Sequence, residues 1–204
     1  MAKQVLSTPE QNLLSKSAGA RVLFATDEWF AAADNLLKDN EPQFDPHAYC
    51  DEGKVMDGWE SRRRREPGHD WCLLQLSHRA EIQSITIDTA YFTGNNVPAI
   101  AIEAADLTIS QAAHLVLALP GGVERMVSTN DVSYQGRSAR PNEIQQAQKA
   151  YEQASWTTVL EKSNLQPGYP ESRLHYFEVN LPLIATHLRL NTFPDGGIAR
   201  MRVL

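Results

Sequence analysis

Along this chain apolar residues recur mostly at every second position, in short runs closed by turn formers. Arg21-Val22-Leu23-Phe24-Ala25, just after Ala18-Gly19, is the first such run and predicts a strand. From residue 71 the same texture returns in Trp71 to Leu76, Ile82 to Thr89, Ile100 to Ala104, Trp156 to Leu160, Leu174 to Asn180, Thr186 to Phe193 and Ile198 to Val203. Pro-Gly-Tyr-Pro at 167 to 170 and Pro-Asp-Gly-Gly at 194 to 197 supply turn chemistry between the later runs. Two stretches carry the helical period instead. Thr26-Asp27-Glu28 can cap a helix from Trp29 to Lys38, with Phe30, Ala33 and Leu37 on one face. Pro141 to Ala154 opens on a proline and shows a weak stripe of Ile144, Ala147 and Tyr151, which suggests a surface insertion. Residues 39 to 70 have little periodicity but several prolines and glycines, so they predict a long structured loop.

Seven or eight short strands with few strand–helix alternations point to an all-β fold, an antiparallel β-sandwich or jelly roll with short helices in its loops. The whole of 1–204 reads as one domain, with a polar N-terminal arm at about 1–18 and a helical insertion at about 140–155. With 42% hydrophobic and 22% charged residues the chain has enough apolar surface for a core without disulfide staples. Two cysteines, Cys50 and Cys72, favour a reducing compartment, with a single bridge between them left open. The formal net charge of −6 argues against nucleic-acid binding through phosphate neutralisation. No run is long and apolar enough to cross a bilayer and the N-terminus lacks a signal core, so a cytoplasmic location and no membrane partner are the expectations.

Candidate chemistry is densest from Lys54 to Trp71, where carboxylates, one imidazole, four consecutive arginines and two indoles crowd together. Guanidinium forks bind carboxylates in two-pronged fashion, and a carboxyl or imidazole within reach can relay protons. A solvated basic turn anchored by Trp59 and Trp71 explains the same residues. Asp27 reads equally as a helix cap or a site residue. Asp88 to Asn96 ends a strand in a small polar turn that could present Thr93, Gly94 and Asn95 to a ligand, and the glycines at 196 and 197 permit positive φ and close backbone approach before Arg200. Phosphate-loop, dinucleotide, nucleophile-elbow and C-x-x-C motifs are missing from the sequence, and the six histidines have no metal-ligand spacing.

Five blocks, in order, carry a family resemblance: Leu23 to Phe30, Gly53 to Arg63, Pro67 to Trp71, Asp88 to Asn95 and Pro194 to Arg200. Together they closely resemble the allantoicase family. The resemblance implies a β-sandwich of galactose-binding, jelly-roll type and an amidine hydrolase of allantoin breakdown, converting allantoate and water into ureidoglycolate and urea. It also implies two repeats in tandem, of which this chain reads as the first, so a homo-oligomer or association with a second repeat is expected. Such a substrate asks for a carboxylate anchor, a proton donor and activated water. Arg62, Arg63 and Arg200 are the anion-binding candidates, Asp57, Glu60, His69 and Asp70 the acid–base or hydrogen-bonding ones, and Thr93 and Asn95 the partners for the ureido groups. No covalent nucleophile is required and no cofactor is implied with certainty, and a divalent metal on His69 with nearby carboxylates is a variant of the same scheme. The rival reading is a non-catalytic small-ligand or sugar-binding module, or the inactive half of a two-repeat enzyme.

Overall fold

Two antiparallel sheets face each other in the computed structural model, which describes residues 11–128 and 133–204. The principal strands are β1 (Arg21–Ala25), β2 (Asp70–Glu81), β3 (Ser84–Asp88), β4 (Ala99–Ala105), β5 (Thr157–Asn164), β6 (Leu174–Glu178), β7 (Ile184–Phe193) and β8 (Arg200–Val203). One sheet runs β1-β2-β7-β4-β5 and the other β6-β3-β8. Their inner faces meet where Val22, Cys72, Leu74, Ile102, Leu188 and Leu190 pack against Ile85, Ile87, Met201 and Val203. Register explains the layer: Leu74 lies opposite both Val22 and Leu188, and Leu190 sits between Cys72 and Ile102. Each such aliphatic side chain contributes roughly 1.5–3 kcal/mol on burial. Cys50 and Cys72 are both free thiols.

The outer face of the larger sheet is buried as well. Leu23, Phe24, Trp71 and Leu73 lie beneath Leu115 and Leu119 of the α1 region and Ala147 and Ala150 of α3. The helices are α1 (Ile109–Ala118), α2 (Gly122–Val127) and α3 (Pro141–Tyr151). The insertion expected at about 140–155 is therefore a covering layer, and α1 and α2 join it although the apolar spacing does not announce them. Burial on both faces accounts for the unbroken apolar start of β2, Trp71-Cys72-Leu73-Leu74.

Three further expectations change in detail. The helix expected over Trp29 to Lys38 shrinks to a 3-10 turn, Ala33–Leu37. Its would-be first turn is held in an extended bridge, since Ala31 N–H donates to Glu60 O and Glu60 N–H to Ala31 O. Asp27 accordingly caps no helix and pairs instead with Arg62. The run Ile198 to Val203 breaks at Ala199, whose N–H donates to Asp88 O; Gly197–Ile198 pairs with Trp59–Glu60 before β8 begins. The first ten residues of the expected arm lie outside the described residues, while Leu13 and Leu14 belong to the core and Leu13 N–H donates to Val203 O.

The 194–197 turn needs both of its glycines. Gly196 has φ +123°, and a Cβ there would lie 2.8 Å from Asn95 O. A Cβ on Gly197 would overlap the ring of Phe92, which is fully buried. Gly197→Ala is expected to lower stability by about 1–3 kcal/mol through this overpacking, whereas Gly94→Ala, with open space around its Cα, stays within about 0.5 kcal/mol. Urea denaturation of the two variants checks this.

His187 is buried on β7, with Nδ1 2.8 Å from Thr186 Oγ1 and no hydrogen-bond partner for Nε2 among the described residues. Burial lowers its pKa from 6.5 to about 4. The unfolded chain therefore takes up a proton that the folded chain refuses, and the histidine's contribution is full above pH 6.5 and lost as pH falls toward 4. The loss amounts to roughly 2 kcal/mol by pH 5. Denaturant melts of wild type and His187→Gln at pH 7 and pH 5 should differ in their pH dependence by that amount.

Candidate functional site

Three turns converge beside the short Trp59–Glu60 strand. Gly197 N–H donates to Asn95 O at 2.8 Å, Gly168 N–H to Phe92 O at 2.9 Å, and Tyr91 N–H to Gly168 O at 3.0 Å. The strand itself is fixed by pairing with Gly197–Ile198 and by Trp59, whose indole N–H donates to Asp27 O at 2.8 Å. Beside this junction opens a cleft of about 300 Å³ lined by Phe30, Phe44, Lys54, Met56, Glu60, Tyr91, Thr93 and Asn95. Half-apolar walls with a few converging polar groups are the usual make-up of a small-molecule site.

Glu60 is the key ionisable group in the cleft. It is 8% exposed, and Asn95 Nδ2 donates to its Oε1 at 2.7 Å. Its Oε2 takes no hydrogen bond from the described residues. Burial pushes the Glu60 carboxyl above the ordinary glutamate value, and the neutral amide of Asn95 offsets only part of that. The neighbouring Lys54 ammonium stands 5.2 Å from the Phe44 ring centroid. Glu60, Thr93 and Asn95 are thus brought together as the sequence suggests, while Lys54, Phe44, Met56 and Tyr91 complete the walls. Lys54, Met56 and Tyr91 fall in the blocks that carry the resemblance; Phe44 lies in a loop without periodicity, so no local signal marks it.

The other candidates lie elsewhere. Arg200 is 2% exposed, and its guanidinium is fully engaged by Asn40 O, Asp57 O, Ala199 O and, at 2.6 Å, Asp57 Oδ2. Asp57 also binds Lys38 at 2.7 Å and accepts from Gln43 N–H. Burial works to raise its pKa, but the hydrogen bonds from Arg200 and Lys38 outweigh it and hold the carboxylate below the usual range. This pair is a clamp under the cleft. Arg62, Arg63 and Asp70 line a separate groove of about 320 Å³ together with Thr26, Asp27 and Ser138. There Arg62 pairs with Asp27 at 2.8 Å and stacks over Trp29, and Asp70 accepts from Thr26 Oγ1 at 2.8 Å and Arg64 at 3.0 Å. Burial raises the Asp70 carboxyl against those donors.

His69 is on the helix-covered face, 3.0 Å from Asn191 Oδ1 and tilted against Phe193; burial lowers its pKa. Among the described residues no group of three or more His, Cys, Asp and Glu side chains gathers to hold a metal ion, so the arrangement around His69 does not fit the metal variant. A larger groove of about 470 Å³ contains Glu28, Arg125 and Tyr134, none of them a site candidate on the sequence. Glu28, raised by burial to about 7, is tied to Arg125 and to Ala33 N–H. Its environment is that of a buried ion pair.

A jelly-roll sandwich with a small, part-apolar cleft at its loop junction is the class of protein that these features define, and solved structures share the fold. A CBM32 module from Clostridium perfringens, solved in complex with GalNAc-β-1,3-galactose, shares the fold at 12% identity with a TM-score of 0.53 over 94% of this chain. The allantoicase of Saccharomyces cerevisiae superposes with a TM-score of 0.62 at 26% identity, over 95% of this chain and 47% of that one. A probable allantoicase of Acinetobacter baumannii strain SDF is 34% identical over 200 residues, covering 98% of this chain and 46% of its own length. The allantoicase-repeat family model matches residues 11–204. The chain belongs to the allantoicase family, and it spans about half the length of the curated relatives it matches. No helix among the described residues is long and apolar enough to cross a membrane.

The clamp predicts a stability phenotype. Arg200→Met removes the buried partner of Asp57 and is expected to lower stability by about 3–5 kcal/mol, as read by denaturant unfolding; a solvent-facing anion binder would leave unfolding nearly unchanged.

Proposed function

We propose that this chain supports hydrolysis of allantoate to ureidoglycolate and urea, within allantoin breakdown, and that the Glu60 cleft is where it happens. Family membership supports the substrate and reaction class. The observation that carries the site is a buried carboxyl with a raised pKa, one oxygen held by Asn95 and the other without a partner among the described residues, in a cleft that also presents Thr93 and Lys54.

The reaction replaces one ureido group of the substrate carbon by hydroxyl. Protonated Glu60 donates its proton to the departing ureido nitrogen, and the C–N bond breaks with its electron pair leaving on urea. The nitrogen of the remaining ureido group shares its lone pair with the electron-poor carbon. Water then adds its oxygen there and returns a proton to the Glu60 carboxylate, so that one carboxyl serves as acid and then as base. Lys54 anchors the substrate carboxylate and Thr93 hydrogen-bonds a ureido group. Asp57 and Arg200 hold the loop and take no part in proton transfer. Because the relatives are about twice as long, we place the activity in a two-repeat protein or a pair of such chains. A cytoplasmic setting is in keeping with the exposed free thiol of Cys50.

Urea release from allantoate is the test, with the chain alone and joined to a second repeat. Glu60→Gln is expected to lower kcat by about 100-fold or more, with KM changed by less than about threefold. The wild-type kcat should be highest where Glu60 is protonated and fall as pH rises through its raised pKa. Unchanged turnover in Glu60→Gln would remove this carboxyl from the chemistry.

A further inference from the structure

Tyr91 is the one non-glycine with positive φ among the described residues, at 69°. A bulky aromatic in the left-handed region is strained, and asparagine or glycine would satisfy the same backbone without it. The turn imposes that backbone: Tyr91 N–H donates to Gly168 O at 3.0 Å, and Thr93 N–H donates to Tyr91 O at 3.1 Å. Core packing does not explain why tyrosine occupies the position, because its side chain is among the exposed large hydrophobics at 42%. Its ring stacks on Phe44 with centroids 5.4 Å apart and planes 18° from parallel, and both rings line the cleft that holds Glu60 and Asn95. Strain kept at an exposed aromatic beside a ligand cleft points to a ligand that uses the ring.

We propose that Tyr91, backed by Phe44, is the wall that selects a planar ureido group, packing its ring face on the ureido plane while Lys54 takes a carboxylate. This rests on the cleft being the substrate site, and not on turnover occurring there. Ligands bearing both a ureido group and a carboxylate are the class it favours. In this arrangement Tyr91 touches the ligand and sets its orientation, and no proton moves through it.

The probe is hydantoate, N-carbamoylglycine, which carries one ureido group and one carboxylate and has no second ureido group to lose. Calorimetric titration of the full chain is expected to show binding that Tyr91→Asn weakens by about tenfold, the loss of one aromatic stacking contact. Asparagine tolerates the left-handed backbone, so its melting temperature should stay within about 2 °C of wild type or rise. Tyr91→Phe keeps the ring and should restore the affinity. The proposal is overturned if wild type does not bind hydantoate, if Tyr91→Asn binds it as wild type does, or if Tyr91→Asn loses more than about 5 °C, which would make the ring a prop for Phe44. Its fate separates from that of the proposed activity. Tyr91-dependent hydantoate binding without urea release would leave this inference standing and sink the hydrolysis, whereas urea release with an unchanged KM in Tyr91→Asn would do the reverse.

Discussion

Arg200 opens β8 with its guanidinium sealed from solvent, where an unpaired charge would cost several kcal/mol. The chain answers with the Asp57 carboxylate and the carbonyls of Asn40, Asp57 and Ala199. Asn40 and Asp57 bracket the loop that carries Phe44, Lys54 and Met56. A charge buried at a strand end thus fixes both ends of a segment that has no regular periodicity of its own. One wall of the cleft depends on that fixation, and Tyr91, Thr93 and Asn95 of the 91–95 turn supply another, held from behind by the Gly197 N–H that donates to Asn95 O.

Asp57 and Glu60 lie three residues apart and have opposite electrostatics. Two cations hold Asp57 ionised, whereas burial favours the protonated form of Glu60 and the neutral amide of Asn95 offsets only part of that. Pairs of like groups pushed apart by their surroundings often divide structural and chemical labour, and here the division follows from which side chains each loop position meets. Jelly rolls serve many ligands with one scaffold.

Much of the scaffold is legible in the sequence because strand periodicity and turn residues act locally. Val22, Leu74 and Leu190 fall where alternation puts them, and the glycines at 196 and 197 do both things that their position suggests. Helix α1 carries one local signal, the capping box formed by Thr108 and Gln111. No apolar stripe accompanies it, because Ile109 and Leu117 are exposed while Leu115 alone among its residues is buried. The site was readable as blocks and not as roles. Asp57, Glu60, His69 and Asp70 are close in sequence, yet a strand pairing, an ion pair and the alternation of β2 send them to four different environments. Phe44 and Lys54 reach the cleft through the Arg200 clamp, a contact between positions about 150 residues apart in the chain that no local pattern encodes.

The helical layer over the larger sheet alters what the sequence can tolerate. In a two-layer sandwich the outward positions of each strand are free to drift toward polar residues, and they absorb much of the variation between relatives. Here Trp71 and Leu73 face α3 and its neighbours while Cys72 and Leu74 face the other sheet, leaving consecutive positions of β2 without a solvent side. A substitution in β2 therefore meets packing on either side, whereas the loops that line the cleft are free of that double constraint. The same packing that makes the scaffold hard to change leaves the cleft at its loop junction comparatively easy to reshape.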